Sequence, residues 1–436
     1  MGHPIYEDLF FEKRDFIRIV LEPDRIEELS SGVETGLAVR KITSDFENKL
    51  TYITQDISTY LKQTEFNLLP KDEKREFISL IESSSKTSTF DIDSYLSLLE
   101  RIKSRVPNSY VKHYRIGLMV TFRETHVLTS EGRLKSQISP YFRVLAVVVA
   151  EQDGRLERGY EVKGYRLSPD EALRLDTEIE LLGEKAAKLA LSLLSARKAP
   201  AGVMPVILAG TAGGTMIHEA VGHGLEADHG EEGLSIYSGR IGERVASPLI
   251  TVIDDPTIPA LYGSYLVDDE GVEAKKTALI EEGILKTFLY DKFTALKHGK
   301  ESNGHGRRQS FRNLPIPRMS NTYIAPGKDK VEDILKSINK GLLVKKMGGG
   351  EVNPLTGDFV FEVREGYYID KGEIAYSVKG ATLVGNGPKV LETIDMVADD
   401  LHFEPGTCGK DGQGVPVSDG QPSMRIPEIV VGGVLD

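Results

Sequence analysis

Two histidines five residues apart, with a glutamate beside the first, restrict this chain more than any other feature: His218-Glu219-Ala220-Val221-Gly222-His223. Two imidazoles can hold a divalent cation, and a neighbouring carboxylate kept off the metal can take a proton from water. The common zinc-peptidase helix is H-E-x-x-H, with its imidazoles at i and i+4 on one face. Here the spacing is i, i+5. At about 100° per residue, such positions lie roughly 140° apart around a regular helix, too far to share one ion. A one-residue π-type insertion would return them to one side, and such bulges occur often at functional sites. Gly222 lowers the backbone's resistance to that distortion. A distorted helix is therefore expected. It should follow a buried strand, Met204–Ala209, and a tight turn over 210–214, with Thr215 as its cap.

A catalytic zinc usually takes three protein ligands and leaves one position open. His229 lies six residues past His223, the offset of the third metzincin histidine, but Glu226 stands where that pattern has glycine. Glu226 and Asp228 offer carboxylates nearby. Cys408, the one cysteine, excludes an intrachain disulfide and lies in a polar, glycine-dense stretch, 404–412, that reads as a tight turn. A deprotonated thiol is a strong zinc ligand. Residue chemistry alone leaves Cys408 and Glu226 level, with His229 behind. Arg307, Arg308 and Arg312 cluster in an otherwise acidic chain and are candidates for clamping a substrate carboxylate or an oxyanion. The glycine run 348–350 lacks any phosphate-loop pattern.

Length sets the organisation. At 436 residues the chain exceeds the size at which one core stops growing, so two domains are expected. Short strands are read at Tyr6–Glu12, Asp15–Glu22, Asp24–Leu29 and Thr35–Ile42, then helices over 56–67, 71–84 and 92–104, with Asp91 or Asp93 as a cap. A second β block spans 110–164. Ser168-Pro169-Asp170-Glu171 opens a long helix with Leu175, Ile179, Leu182, Ala186, Leu189 and Leu193 as its core stripe. The boundary is placed at 200–202, dividing the chain into 1–199 and 200–436. The C-terminal part reads as a hairpin about 282–283 and a meander turned at 365–366, 371–372 and 379–380. Strand runs set apart from helix runs indicate an α+β fold.

A net charge of −12 argues against nucleic-acid binding, which needs a basic footprint. No apolar run approaches the ~20 residues of a membrane span, and no secretory signal opens the chain, so a cytoplasmic location is expected.

The segments Ala209–Gly224, Gly306–Arg312, Pro317–Thr322 and Pro405–Gln413 resemble the TldD/PmbA family of zinc metalloproteases, its TldD branch in particular. Glu7–Glu12 is similar to that family's first strand, and the likeness spans nearly the whole chain. Its specific part is H-E-x-x-x-H with the late cysteine; the PmbA-like branch lacks the metal motif. The resemblance implies zinc on His218, His223 and Cys408, with Glu219 as general base. It implies an N-terminal α+β domain packed on a strand-rich C-terminal metallopeptidase domain with a mixed or antiparallel sheet. It also implies a homodimer or a heterodimer with a PmbA-like subunit, acting on unfolded or modified polypeptides. The resulting reading is a zinc peptidase for extended peptides, which could bind by adding a strand at a sheet edge. Two other classes stay open: a cysteine hydrolase using Cys408, and a non-catalytic peptide-binding adaptor or regulatory subunit.

Overall fold

The computed structural model describes residues 2–84, 87–107 and 109–433. The N-terminal half is built on one antiparallel sheet of six strands: β1 (Pro4–Glu22), β2 (Arg25–Thr43), β3 (Asn48–Ile53), β4 (Val111–Thr129), β5 (Leu134–Gln152) and β6 (Arg155–Tyr165). Their order is β3-β2-β1-β4-β5-β6. β1 and β2 each run 19 residues without a break, where the sequence reads two short strands apiece. The apparent break at 13–14 is carried inside the strand because the charges there find partners: Arg14 reaches Glu34 on β2 at 2.5 Å, and the neighbouring Asp15 accepts from the Ser88 backbone N–H at 2.8 Å. Gly32 in the middle of β2 is there for packing. A Cβ on it would lie 2.8 Å from the ring of Phe16, its cross-strand partner.

Helices α1 (Ile57–Gln63), α2 (Lys71–Ser83) and α3 (Ile92–Ser104) cover one face of this sheet. α3 begins at Asp91, whose carboxylate accepts from the Ser94 backbone N–H, a cap of about 1 kcal/mol. Leu98, Leu99 and Ile102 on α3 pack with Ile17, Ile116 and Val144 of the sheet. The long helix expected from 169 onward is broken into α4 (Pro169–Leu175), a 3₁₀ turn (Thr177–Leu181) and α5 (Leu182–Ser195). Asp176 makes the break. Its extended backbone places the carboxylate 2.5 Å from the Tyr165 hydroxyl and 2.9 Å from Lys163. The apolar stripe survives on α5, but Leu175 is 60% exposed and is not core.

In the C-terminal half, strand Gly202–Leu208 pairs in parallel with Lys340–Val352 and antiparallel with Met424–Gly432. Thr382–Asn386 links Met424–Gly432 to Asp358–Asp370, which pairs back onto Lys340–Val352. Five strands thus close on themselves, which leaves no open edge among them. Leu208, Val344, Phe361, Leu383 and Ile426 are buried in the same core cluster. The turn expected at 365–366 does not exist: Asp358–Asp370 is continuous, and its pairing with Lys340–Val352 shifts register between 344 and 350 instead.

A second, mixed sheet carries His402–Lys410 and Gln413–Gln421 as an antiparallel hairpin at its edge. The stretch 404–412 is therefore mostly strand and not a loop. Asp411 and Gly412 (φ 50° and 71°) make its two-residue turn, the Asp-Gly pair that suits the twist of a hairpin. Mixed and antiparallel sheets with segregated helices make this an α+β fold. The halves meet through buried charge: Arg40 on β2 bonds both Asp8 and Glu270, all three fully buried. Among the described residues, no helix is long and apolar enough to cross a membrane.

Candidate metal centre

The strand Gly202–Leu208 delivers the chain into a turn in which Gly213 and Gly214 both take left-handed conformations (φ 90° and 58°). Gly214, not Thr215, is the residue before the helix, and no side chain caps it. A side chain at Gly214 would meet the backbone of Asp419 and Gly420 at 2.7 Å, so this close approach seats the helix against the hairpin strand. Residues 215–217 form an α turn, His218–Gly222 a π turn, and His223–Leu225 a 3₁₀ turn. The backbone N–H of His223 bonds the carbonyl of His218 across the extra residue. The distortion expected from the spacing is present. It brings the imidazole centroids to 5.0 Å, nearly perpendicular at 88°. Gly222 has an ordinary helical φ of −58°, so its role is space: a Cβ would lie 2.1 Å from Met319 Sδ.

Cys408 enters from the hairpin. Its Sγ is 3.6 Å from His223 Nε2, and ligand atoms of His218, His223 and Cys408 all lie within 4.8 Å of one another. Each imidazole is oriented by a carboxylate behind it. His218 Nδ1 is 2.7 Å from Asp419 Oδ1, and His223 Nδ1 is 2.9 Å from Glu226 Oε2. With Nδ1 so engaged, Nε2 is the free donor on both rings, the arrangement that orients metal-ligating histidines. Two imidazoles and a thiolate converging from two directions form a donor set that suits zinc, with a fourth position available. Glu219 stands at the edge of this cluster, its side chain 43% exposed and Oε2 3.9 Å from His223 Nε2.

Electrostatics fit a cation. Burial pushes the Cys408 thiol up, but the charge of His218 and hydrogen bonds with both imidazoles outweigh it and bring the thiol to about 5. Burial disfavours both imidazolium ions, yet Asp419 and Cys408 hold His218 well above its usual range, and Glu226 and Cys408 hold His223 at about 9. A thiolate balanced by protons on its neighbours is a charge arrangement in which a divalent ion can replace the protons.

The other possible ligands are spent elsewhere. Glu226, Asp228 and His229 also cluster, but Lys410 Nζ lies 3.0 Å from Glu226 and 2.6 Å from Asp228, so a cation is already among them. His229 Nδ1 faces the His223 carbonyl at 2.8 Å. The arginine cluster disperses. Arg307 donates to the Met319 and Pro416 carbonyls at 2.5 and 2.8 Å, and Arg308 is buried against Asp269 and Asp8. Arg312 stays half-exposed over Phe311, 3.9 Å from Glu34.

Three contributors escape a reading of the sequence. Asp419 supports His218, Lys410 secures Glu226, and Arg318 donates to the Cys408 carbonyl at 2.6 Å. The signal that could have found two of them is the Asp411-Gly412 turn. It sets the register Cys408↔Val415 and Glu404↔Asp419, and strand alternation then puts Cys408, Lys410 and Asp419 on one face. Asp419→Ala should lower zinc affinity roughly 10–100-fold, measured by competition with a chromogenic chelator; unchanged affinity would mean that the carboxylate does not support the ligand.

Comparison with known proteins identifies the family. Residues 201–433 match the model of the PmbA/TldA metallopeptidase C-terminal domain, and 65–194 match that of the central domain. A protein of Haemophilus influenzae named a metalloprotease TldD homolog is 37% identical over 98% of this chain and 93% of its own length. A zinc metalloprotease TldD homolog of Saccharolobus solfataricus is 28% identical over 98% of this chain and 96% of its own. Among solved structures, TldE from Thermococcus kodakarensis shares the fold with a TM-score of 0.73 at 18% identity, covering 98% of this chain and 97% of that one. A Thermotoga maritima protein, named as a suggested modulator of a DNA gyrase, does so with a TM-score of 0.77 at 20% identity, covering 98% and 96%. By its two matched family domains and its near full-length likeness to TldD homologues, this chain belongs to the TldD/PmbA family.

Proposed function

We propose that the chain is a zinc-dependent metallopeptidase that hydrolyses extended or unfolded peptides. The observation that carries this reading is the convergence of His218, His223 and Cys408, with each imidazole backed by a carboxylate. His218 Nε2, His223 Nε2 and Cys408 Sγ would hold the ion. Zinc bound there would supply a Lewis acid that brings the pKa of water toward ~7. Glu219, close to the donor set yet open to solvent, would take a proton at a carboxylate oxygen and return it to the leaving amine. Asp419 and Glu226 keep the two rings from turning. The names carried by the relatives, metalloprotease and in one case zinc metalloprotease, support the same reading. A homodimer, or a heterodimer with a PmbA-like subunit, is part of this proposal, as is the use of Arg312 near substrate; Arg307 and Arg308 act instead by holding the chain around the site.

A cysteine hydrolase fits less well. Cys408 is 3% exposed and lies between two imidazoles, whereas a nucleophile needs one base and an open approach. Chelation separates the three classes. Cleavage of an unfolded protein substrate should stop with a strong chelator and return with added zinc. Cleavage that survives complete metal removal would overturn the proposal in favour of the thiol, and a zinc-loaded protein that binds but never cleaves would make it an adaptor.

A further inference from the structure

The helix-free face of the N-terminal sheet has a charge pattern that the metal centre does not use. The chain as a whole carries −12, yet Arg18 on β1, Arg115 on β4, Arg143 on β5 and Arg158 on β6 gather here. Register places them together: Arg18 faces Met119, Met119 faces Arg143, Arg115 faces Val147, and Val149 faces Arg158. Between them runs a groove of ≈ 660 Å³. Its floor is aliphatic, with Leu145, Val147 and Val149 half-buried and Met119 41% exposed.

These guanidiniums are largely uncompensated. Arg18 lies 3.3 Å from Glu28, and Glu22 at the groove's end is engaged by Arg25 and His113 at 3.7 and 3.9 Å. Among the described residues, Arg115, Arg143 and Arg158 have no ion-pair or hydrogen-bond partner, and the buried Nε of Arg143 is unsatisfied. The groove also has a direction. A second hollow shares Met119 and Arg143 with it and continues to Thr407, Gly414 and Pro416. Those residues lie on the hairpin whose other face carries Cys408.

We propose that this groove binds an acidic, extended stretch of a polypeptide substrate. Carboxylates meet the arginines, apolar side chains lie on the valine floor, and the bound stretch runs toward the hairpin that supplies Cys408. Carboxylate pairs well with guanidinium, and an aliphatic floor suits a peptide better than stacked bases, which use aromatic platforms. This inference rests on the peptidase reading for the fate of the bound peptide, but its test does not.

The test uses the full chain carrying Glu219→Gln, so that bound peptide stays intact, and fluorescent peptides of alternating Glu and Val, or Gln and Val. Binding is read by anisotropy. The Glu peptide should bind more tightly than the Gln peptide, and Arg115→Ser with Arg158→Ser should weaken it about tenfold or more while leaving the Gln peptide little changed. The single variants Arg115→Gln and Arg158→Gln serve if the pair perturbs the sheet. Equal binding of both peptides, or full binding by the arginine variants, overturns the proposal. Tighter binding of an oligothymidylate than of the Glu peptide overturns it too, as does conversion of a dimer to monomer by the variants with peptide binding intact, which would make the face a contact between copies. Tight, arginine-dependent binding without cleavage of the Glu peptide by the zinc-loaded unmodified chain would uphold the groove and sink the peptidase reading instead.

Discussion

Glu219→Gln should keep its zinc and lose turnover by a factor of about 10²–10⁴, the usual contribution of a positioned general base. The argument is geometric. Both imidazoles present Nε2 to the thiol while Glu219 remains at the solvent edge, 3.9 Å from the nearer ring nitrogen. The amide has nearly the same shape as the carboxylate and cannot accept a proton at neutral pH, so metal loading and folding should be untouched. His223→Ala is the contrasting variant. It removes the donor that directly follows the π turn and leaves Glu226 without the imidazole it orients, so both metal and activity should fall. Metal content and peptide cleavage measured on the two proteins together decide the roles. Zinc lost from Glu219→Gln would make Glu219 a ligand, and undiminished cleavage by a zinc-replete Glu219→Gln protein would move the base elsewhere.

Cys408→Ser should weaken zinc binding beyond the roughly 10–100-fold expected for a supporting residue. A serine hydroxyl is neutral near pH 7, whereas the thiol, brought to about 5 by its imidazole neighbours, is a thiolate there. Losing it removes the one anionic donor in direct reach of both rings. Cobalt substitution provides a second measurement: the unmodified site should show a sulfur-to-metal charge-transfer band that the serine variant lacks. Tight zinc binding in Cys408→Ser, with the band retained, would assign the third ligand to another residue.

The local parts of the site were legible in the sequence because their geometry is set by neighbours along the chain. Five-residue spacing on a helix dictated the π turn, and the turn is there. The parts set by register were not legible. Cys408 reads as a loop thiol because glycine density around it mimics a turn, while the strand it occupies is defined by pairing with Val415. Residues 13–14 and Gly32 read as breaks because charge and glycine usually end strands; here Glu34 takes Arg14 and the Phe16 ring covers Gly32. Arg307 and Arg308 drew attention as substrate clamps by composition alone, and only burial shows that they hold carbonyls and carboxylates within the protein.

The two imidazoles are neighbours in sequence, but the thiol that faces them comes 185 residues after His223. During synthesis, every chain length between residue 223 and residue 408 carries both histidines without the sulfur. A donor set split this way is assembled only when the hairpin docks, so tight chelation reports that docking. In the proposed reading, a half-made chain would hold no hydrolytic centre with which to attack itself or its neighbours. The distance along the chain thereby acts as a timing device, delaying the chemistry until the scaffold that confines it exists.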